Sequence, residues 1–404
     1  MESWPSIYLP PIEAPVPALN LKLTEGSLAN SKEFKIYVCG ITPYDATHLG
    51  HALTYIYFDL INRYQVIAGK KLKFSENVTD VDDPLFERAR RDNILWSDLA
   101  KEQTSLFQRD MTALRVIPPA SLDLVSETVN LVLDGLKKLS EKGLIYQLDT
   151  DVYFDSSSYL ASLPVPLEEA IHIFAERGGD PDRIGKRNRL DPLVWKKNCA
   201  DEPGWASPFG TGRPGWHIEC AVIAANAMRN FGGDDFVLDL QGGGSDLIFP
   251  HHFMTKIIAE SIFDKRFASS FAHTALLGLD GEKMSKSKGN LRFVSRLLAE
   301  GWDGMEIRYA LINRDFQRES MWDDGDLIKA RSSLEKLRLA LSRENCADSS
   351  DVIQKVLKSL ADNMNTPKAL EELGIWADKT IIYGGESSPG EIARFIDAVL
   401  GIAL

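Results

Sequence analysis

A strand, a helix and a second strand follow one another near the start of this chain, and they restrict its fold more than any other feature. FKIYVCG (34–40) is a short apolar run ending in glycine, the pattern of a strand buried on both faces. Over 51–69, Leu53, Ile56, Tyr57, Leu60, Ile61 and Tyr64 recur at steps of three and four, which puts them on one helix face. Gly69 stands where a glycine ends a helix. KLKFSENVT (71–79) then alternates as a strand does. Two strands joined through a crossover helix pair in parallel, so the unit is β-α-β and the expected fold class is α/β.

The rest of the chain arranges itself around that unit. Residues 1–33 form an extended, proline-rich lead-in, and a helical region runs from the second strand to a break at 116–119. Residues 119–202 have the character of an insertion. They hold a helix near 126–142 closed by Gly143, a short strand DVYFD (151–155) and a charged loop, ERGGDPDRIGKRNRLDP (176–192). Core chemistry resumes over 203–275, where strand FVLDL (236–240) runs into QGGGSDLIFPHH. A strand HTALLGL (273–279) leads through a DG turn to KMSKSKGN, within a connecting region 276–320. In 321–404, Leu327, Ala330, Leu334, Leu337 and Leu341 keep the spacing of a packed helix seam. Further helices are expected near 351–362, 367–382 and 389–401, which makes this part a helical bundle.

Composition excludes several functions. The 404 residues are 44% hydrophobic and 26% charged, with a net charge of −12, which argues against a protein that grips nucleic acid through a basic surface. Four cysteines are too few for a disulfide scaffold, so their thiols are expected free or metal-bound in a cytoplasmic protein. The first 20 residues have neither the basic nor the apolar region of a secretory leader. No apolar run approaches the roughly 18 residues that span a bilayer. A monomer is expected, with no membrane partner.

Two groups of residues carry chemistry. Cys39, Cys220 in WHIEC (216–220), and His251 and His252 in FPHH offer thiolates and imidazoles, the ligand types of zinc, although none has CxxC spacing. A cysteine that ends a strand is more commonly a small core residue, so the argument needs the set together. THLGH (47–51) puts His48 and His51 at the start of a helix that follows a parallel strand, where α/β folds bind phosphates. The bland alternative is a helix start capped by Thr47 with incidental histidines. KMSKS (283–287) brings Lys283 and Lys286, two ammonium groups suited to a triphosphate. QGGGSD (241–246) either lines a ribose or is only a turn.

Together these stretches resemble a known set. HxGH near the start and KMSKS 235 residues later (283 − 48) resemble the two signatures of class I aminoacyl-tRNA synthetases. The finer similarity is to the cysteine-activating branch, through YVCG, NVTDVDD, GRPGWHIEC, GGGSDLIFPHH and DGEKMSKSKGN, and it runs over essentially the whole chain. Two families share the pattern: cysteinyl-tRNA synthetase and the mycothiol-pathway ligase that joins cysteine to glucosaminyl-inositol. Four features look like the ligase. They are the phrase GITPYDATHLGHALTY with the opening ESWPS, the loop FAERGGDPDR (174–183), HHFMT where the synthetase has HHENE, and a tail of 117 residues (404 − 287) after KMSKS. The segment 321–404 holds 10 Lys+Arg and 14 Asp+Glu, a net of −4, unlike an RNA-gripping domain. A truncated cysteinyl-tRNA synthetase and a catalytically dead binding protein stay open as alternatives.

The resemblance implies a Rossmann-like class I synthetase catalytic core in two halves (1–118 and 203–275), with a connective insertion (119–202), a KMSKS and stem-contact region (276–320) and a C-terminal helical bundle. It implies zinc ligands Cys39, Cys220 and His251, one ion per chain, with Thr255 at the place of the synthetase's fourth, carboxylate ligand. It implies ATP with Mg2+ as substrate, L-cysteine and glucosaminyl-inositol as the other substrates, and no nucleic acid. His48, His51, Lys283 and Lys286 would serve the phosphates. Gly40, Ile41, Thr42, Thr54, Asn77, Val78, Thr79, Trp216, Gly244, Ser245, Asp246 and Leu277, with Cys39, would contact the cysteinyl-adenylate. His252 is expected as a packed side chain. His51 and Asp246 are candidates for the base of the second step, and the ERGGDP loop is expected on the acceptor side.

Overall fold

The computed structural model describes residues 1–228, 235–279, 281–284 and 291–404. Four strands come first: β1 (Glu25–Gly26), β2 (Glu33–Ile41), β3 (Lys71–Val78) and β4 (Ser121–Leu124). Strands β5 (Ile145–Leu148), β6 (Asp151–Phe154) and β7 (Leu193–Lys196) of the 119–202 segment, with β8 (Arg213–Pro214) just beyond it, make an antiparallel sheet of their own in that order. With β9 (Phe236–Gly244) and β10 (Arg266–Thr274) the chain returns to the main sheet, whose order is β1-β10-β9-β2-β3-β4. Five of its strands are parallel, and β1 pairs antiparallel at the edge. Sequence order reverses between β2 and β9, the switch point of a Rossmann-like sheet.

Alternation along β2 sorts the layers. Phe34, Ile36 and Val38 pack with α1 (Leu49–Ile67), while Tyr37 and Cys39 point to the opposite face. That second face is covered by α4 (Val125–Glu141), α6 (Trp216–Ala227) and α7 (Phe253–Phe263). Helices α2 (Asp83–Asp92) and α3 (Trp96–Ala113) lie between β3 and β4, and α5 (Leu167–Glu176) belongs to the insertion. Strands β11 (Leu277–Leu279), β12 (Glu282–Lys283) and β13 (Ser320–Trp322) make a small separate sheet. Helices α8 (Val294–Ala299) and α9 (Gly304–Ile312) lead to a bundle of α10 (Gly325–Leu341), α11 (Ser349–Ala361), α12 (Thr366–Tyr383) and α13 (Pro389–Leu400). Among the described residues no helix is long and apolar enough to cross a membrane.

Two differences from the sequence reading have physical causes. The glycine run 242–244 is the end of β9 rather than a turn. A Cβ on Gly242 would collide with the Phe58 ring and one on Gly243 with the His252 ring, so the glycines admit two side chains against the strand. The expected strand 273–279 is two strands. After Thr274 the chain leaves the main sheet because Ala275 N donates to Phe316 O at 2.8 Å and β11 pairs with β13.

A buried ion cluster joins the bundle to the sheet. Asp59 on α1 accepts from Arg63 Nε at 2.8 Å and from Arg308 of α9, and all three side chains are fully buried. The guanidinium groups also reach carbonyls at helix ends. Arg63 donates to Asp397 O (2.8 Å) and Arg115 O (2.6 Å), and Arg308 to Leu400 O (2.7 Å) and Leu114 O (2.8 Å). The ends of α3 and α13 are thereby fixed on α1. Asp59→Ala should leave two cations buried without their carboxylate, at a cost of about 3–5 kcal/mol, read as a lower urea midpoint. Burial pushes the Asp59 carboxyl up, but Arg63 and Arg308 outweigh it and hold it below its ordinary value. Its contribution is therefore full above about pH 4 and declines as pH falls through the lowered folded value. The acid branch of a stability titration should be shallower in the variant.

Candidate active site

A crevice opens where two strands stop pairing. The ladder between β2 and β9 ends at Val38 and Gly242. Beyond it β2 stays with β3 as far as Ile41 and Val78, and β9 stays with β10 as far as Gly244 and Thr274. The gap enters a cavity of about 390 Å³. Gly40 holds its near wall: a Cβ there would overlap the Asn77 carbonyl, so only glycine lets β2 lie this close to β3.

Cys39 from β2, Cys220 from α6 and His251 from the turn before α7 converge on one side. All three are buried, and their ligand atoms lie within 4.8 Å of one another. Burial pushes the Cys39 thiol well up, and the Cys220 sulfur adds to this. Cys220 goes the other way, drawn well down by its hydrogen bond with Cys39 despite burial, with help from His251. A thiophilic cation is the partner that would let both sulfurs be thiolates. Two sulfurs and an imidazole with a fourth side open fit zinc in a catalytic-type site. Thr255 supplies no ligand; its Oγ1 donates to His217 O at 3.3 Å, on the first turn of α6.

The ligands are braced from behind. His251 Nδ1 lies 3.1 Å from His217 Nδ1, and the Trp216 ring stacks on His251 at 4.1 Å. His252 Nε2 lies 3.2 Å from Cys39 Sγ, so this residue is a partner of the sulfur rather than packing alone. Its Nδ1 meets His273 Nε2 at 2.7 Å, and His273 Nδ1 meets Thr24 Oγ1 at 2.8 Å. Gln241 Nε2 donates to Cys39 Sγ at 3.3 Å. Burial keeps both imidazoles neutral, His252 well below its usual value and His273 down to about 4. Neutral donors around a thiolate orient it without cancelling its charge.

The start of α1 lines the same cavity. His48, not Thr47, caps α1: its Nδ1 accepts from Gly50 N (3.1 Å) and His51 N (3.3 Å). An accepting Nδ1 puts the proton of the neutral ring on Nε2, a donor suited to an anionic oxygen. The His51 ring stacks on His48 at 3.7 Å. Thr54 Oγ1, one turn further on, bonds Thr274 Oγ1 at 2.7 Å and bridges the crevice floor.

The other expected contacts divide. Gly40, Ile41, Thr42, Thr79, Trp216, Gly244, Asp246 and Leu277 line the cavity with Cys39. Val78 and Ser245 do not line it. Asn77 lines it, yet its amide works inside the protein: Oδ1 accepts from Tyr37 Oη (2.7 Å) and Gly40 N (3.0 Å), and Nδ2 donates to Thr79 Oγ1 (2.9 Å). Lys286 and the side chain of Lys283 lie outside the described residues; Met284 between them lines the cavity. The sequence singled out no role for His217, His273 or Tyr44, while Gln241 and Arg177 stood inside the stretches QGGGSD and ERGGDP that it did single out. The first was inside a quoted motif, WHIEC, as the neighbour of Trp216. His273 had no local signal, because its partner His252 is 21 residues away.

A model of the tRNA synthetases class I (C) catalytic domain matches residues 26–332. The L-cysteine:1D-myo-inositol 2-amino-2-deoxy-alpha-D-glucopyranoside ligase of Rhodococcus erythropolis is 47% identical over 420 residues, covering 100% of both chains. The ligase of the same name from Gordonia bronchialis is 44% identical over 418 residues, again covering 100% of both. Among solved structures, Mycobacterium tuberculosis methionyl-tRNA synthetase in complex with methionyl-adenylate aligns with a TM-score of 0.63 at 16% identity, over 92% of this chain and 88% of that one. A LeuRS of Agrobacterium radiobacter in a ternary complex with tRNA aligns with a TM-score of 0.65 at 12% identity, over 93% and 84%. At such identities these two speak for the fold alone.

The purified protein should carry about one zinc per chain, and Cys220→Ala should lose it while keeping its helical circular dichroism. Elemental analysis of both proteins checks this, and full metal content in the variant would contradict the ligand set.

Proposed function

Because the chain belongs to the family of L-cysteine:1D-myo-inositol 2-amino-2-deoxy-alpha-D-glucopyranoside ligases, on a class I synthetase catalytic domain, we propose that it joins L-cysteine to the amine of glucosaminyl-inositol using ATP. The observation that carries this reading is the Cys39–Cys220–His251 cluster opening into the same cavity as His48 and His51. One wall suits a thiol and the other suits phosphates.

In the first step a carboxylate oxygen of cysteine attacks the α-phosphorus of ATP. The bond to pyrophosphate breaks, and cysteinyl-adenylate is left in the crevice. His48 offers its Nε2 proton to the phosphate oxygens, held in that tautomer by its bonds to Gly50 N and His51 N. His51 supports the His48 ring by stacking, and Lys283 and Lys286 neutralise the triphosphate, which arrives with Mg2+. Cys39, Cys220 and His251 would hold a zinc ion, and that ion would supply a soft partner for the substrate thiolate that a serine hydroxyl does not match. Shape alone would separate two such isosteres by only about 1–3 kcal/mol.

In the second step the neutral amine of glucosaminyl-inositol attacks the activated carbonyl. The bond to AMP breaks and the nitrogen loses a proton, giving the amide. Trp216, stacked on His251, walls the cavity beside the thiol and helps keep water from the acyl-adenylate anhydride. The acidic chain, with net charge −12, supports a small polyol acceptor over transfer RNA.

AMP formation from ATP and cysteine, with each acceptor in turn, tests the reading. Glucosaminyl-inositol should drive turnover and yield the amide, whereas charging of transfer RNA alone would make the chain a short synthetase. His48→Ala should lower cysteine-dependent ATP–pyrophosphate exchange by about 10²-fold or more, because a donor aimed at developing charge is lost.

A further inference from the structure

The loop that follows α5 is built to hold one side chain over the cavity mouth. It leaves the helix through a glycine pair: Gly178 has φ +87°, and Gly179 N donates to Phe174 O at 2.8 Å. A Cβ on Gly179 would overlap the Phe174 ring, so the turn admits no larger residue. Beyond the turn, the charged residues are tied to the insertion. Asp180 accepts from Lys186 Nζ at 2.9 Å and from Tyr153 Oη. Arg183 Nη1 donates to Asp151 at 2.5 Å and to Tyr153 Oη at 2.6 Å. Before the turn, Glu176 pairs with His172 on the helix surface. Arg177 alone of the charged residues in 176–183 lines the cavity. Its Nη1 lies 3.6 Å from Asp246 Oδ2, and both side chains are about a third exposed, at 37% and 32%. Helix α5 also packs on residues 248–252, so the turn that carries His251 and the helix that carries Arg177 form one body.

The positions of the substrates give this arrangement its meaning. The thiol wall and the phosphate wall come from the sheet, its crossover helices and the turn before α7. Arg177 is different: it comes from the insertion and stands on the rim, where a second substrate enters after the adenylate has formed. An amino-sugar joined to inositol presents many hydroxyls and one amine. A planar guanidinium beside a carboxylate offers paired donors and acceptors to neighbouring hydroxyls.

We propose that Arg177 is a specificity-determining residue for the acceptor, binding hydroxyls of glucosaminyl-inositol at the cavity rim beside Asp246. The proposal rests on the ligase reading above. Arg177→Ala should raise KM for glucosaminyl-inositol by about tenfold or more, as loss of a hydroxyl-binding group does. Cysteine-dependent ATP–pyrophosphate exchange needs no acceptor and should stay within about twofold of wild type on the same grounds. Arg177→Lys keeps the charge without the fork and should fall between. An equal fall in exchange and amide formation would assign Arg177 to the adenylate and overturn the proposal. An unchanged acceptor KM would reduce it to a rim ion pair. If the wild-type protein exchanges pyrophosphate but makes no amide from glucosaminyl-inositol, the ligase reading fails and the proposal with it. Normal wild-type turnover beside an unaltered variant sinks the proposal alone.

Discussion

Strands β2 and β9 hydrogen-bond as far as Val38 and Gly242 and then separate, each following its outer neighbour. The candidate chemistry sits in that gap. Cys39 is one residue past the last paired position on β2, and Gly243 and Gly244 are its counterparts on β9. Asn77 sets the gap's shape. Its side-chain oxygen takes both the Tyr37 hydroxyl and the Gly40 amide, so the end of β2 is tied to β3 and held away from β9. Cys220 Sγ lies 3.9 Å from the same oxygen, which links the strand ends to α6. A crevice fixed by backbone pairing and one amide positions ligands more rigidly than a loop would.

The β-α-β frame was legible because its signals are local. Helix face, closing glycine and strand alternation all lie within the window that sets them, and α1 spans Leu49–Ile67 where the spacing placed a helix over 51–69. The glycine run was ambiguous for the opposite reason. Whether 242–244 turns or extends depends on the Phe58 and His252 rings, which reach it from other elements. The same limit governs the site. Cys39, Cys220 and His251 are separated by 181 (220 − 39) and 31 (251 − 220) residues, so no spacing rule joins them. Only resemblance could bring them together before the fold did. His273 escaped notice because it acts on another side chain and belongs to no short pattern, and Gln241 stood in a quoted stretch without its bond to Cys39 being legible there. The bland alternative capped α1 with Thr47, whereas the structure gives the cap to His48, whose ring nitrogen reaches two amides.

The insertion marks the likeness to its relatives most usefully. Its sheet β5–β8 is separate from the main sheet, yet α5 abuts the His251 turn and Arg177 reaches the cavity. On the proposed reading, a synthetase-type core would keep its activating residues while the added layer would meet the second substrate. The acidic bundle fits that division. It is anchored to α1 through Asp59, Arg63 and Arg308, and its net charge of −4 over 321–404 offers nothing that would attract a polyanion.

The central claim is that the thiol is recognised by direct bonding at the Cys39–Cys220–His251 cluster. X-ray absorption at the zinc edge of the metal-loaded protein tests it most directly. Without substrate the spectrum should fit two sulfur ligands and one imidazole. Addition of L-cysteine should add a third sulfur at about 2.3 Å, and serine should leave the spectrum unchanged. A sulfur count that does not move with cysteine would mean that the thiol is read by shape, and the role given to the cluster would be wrong.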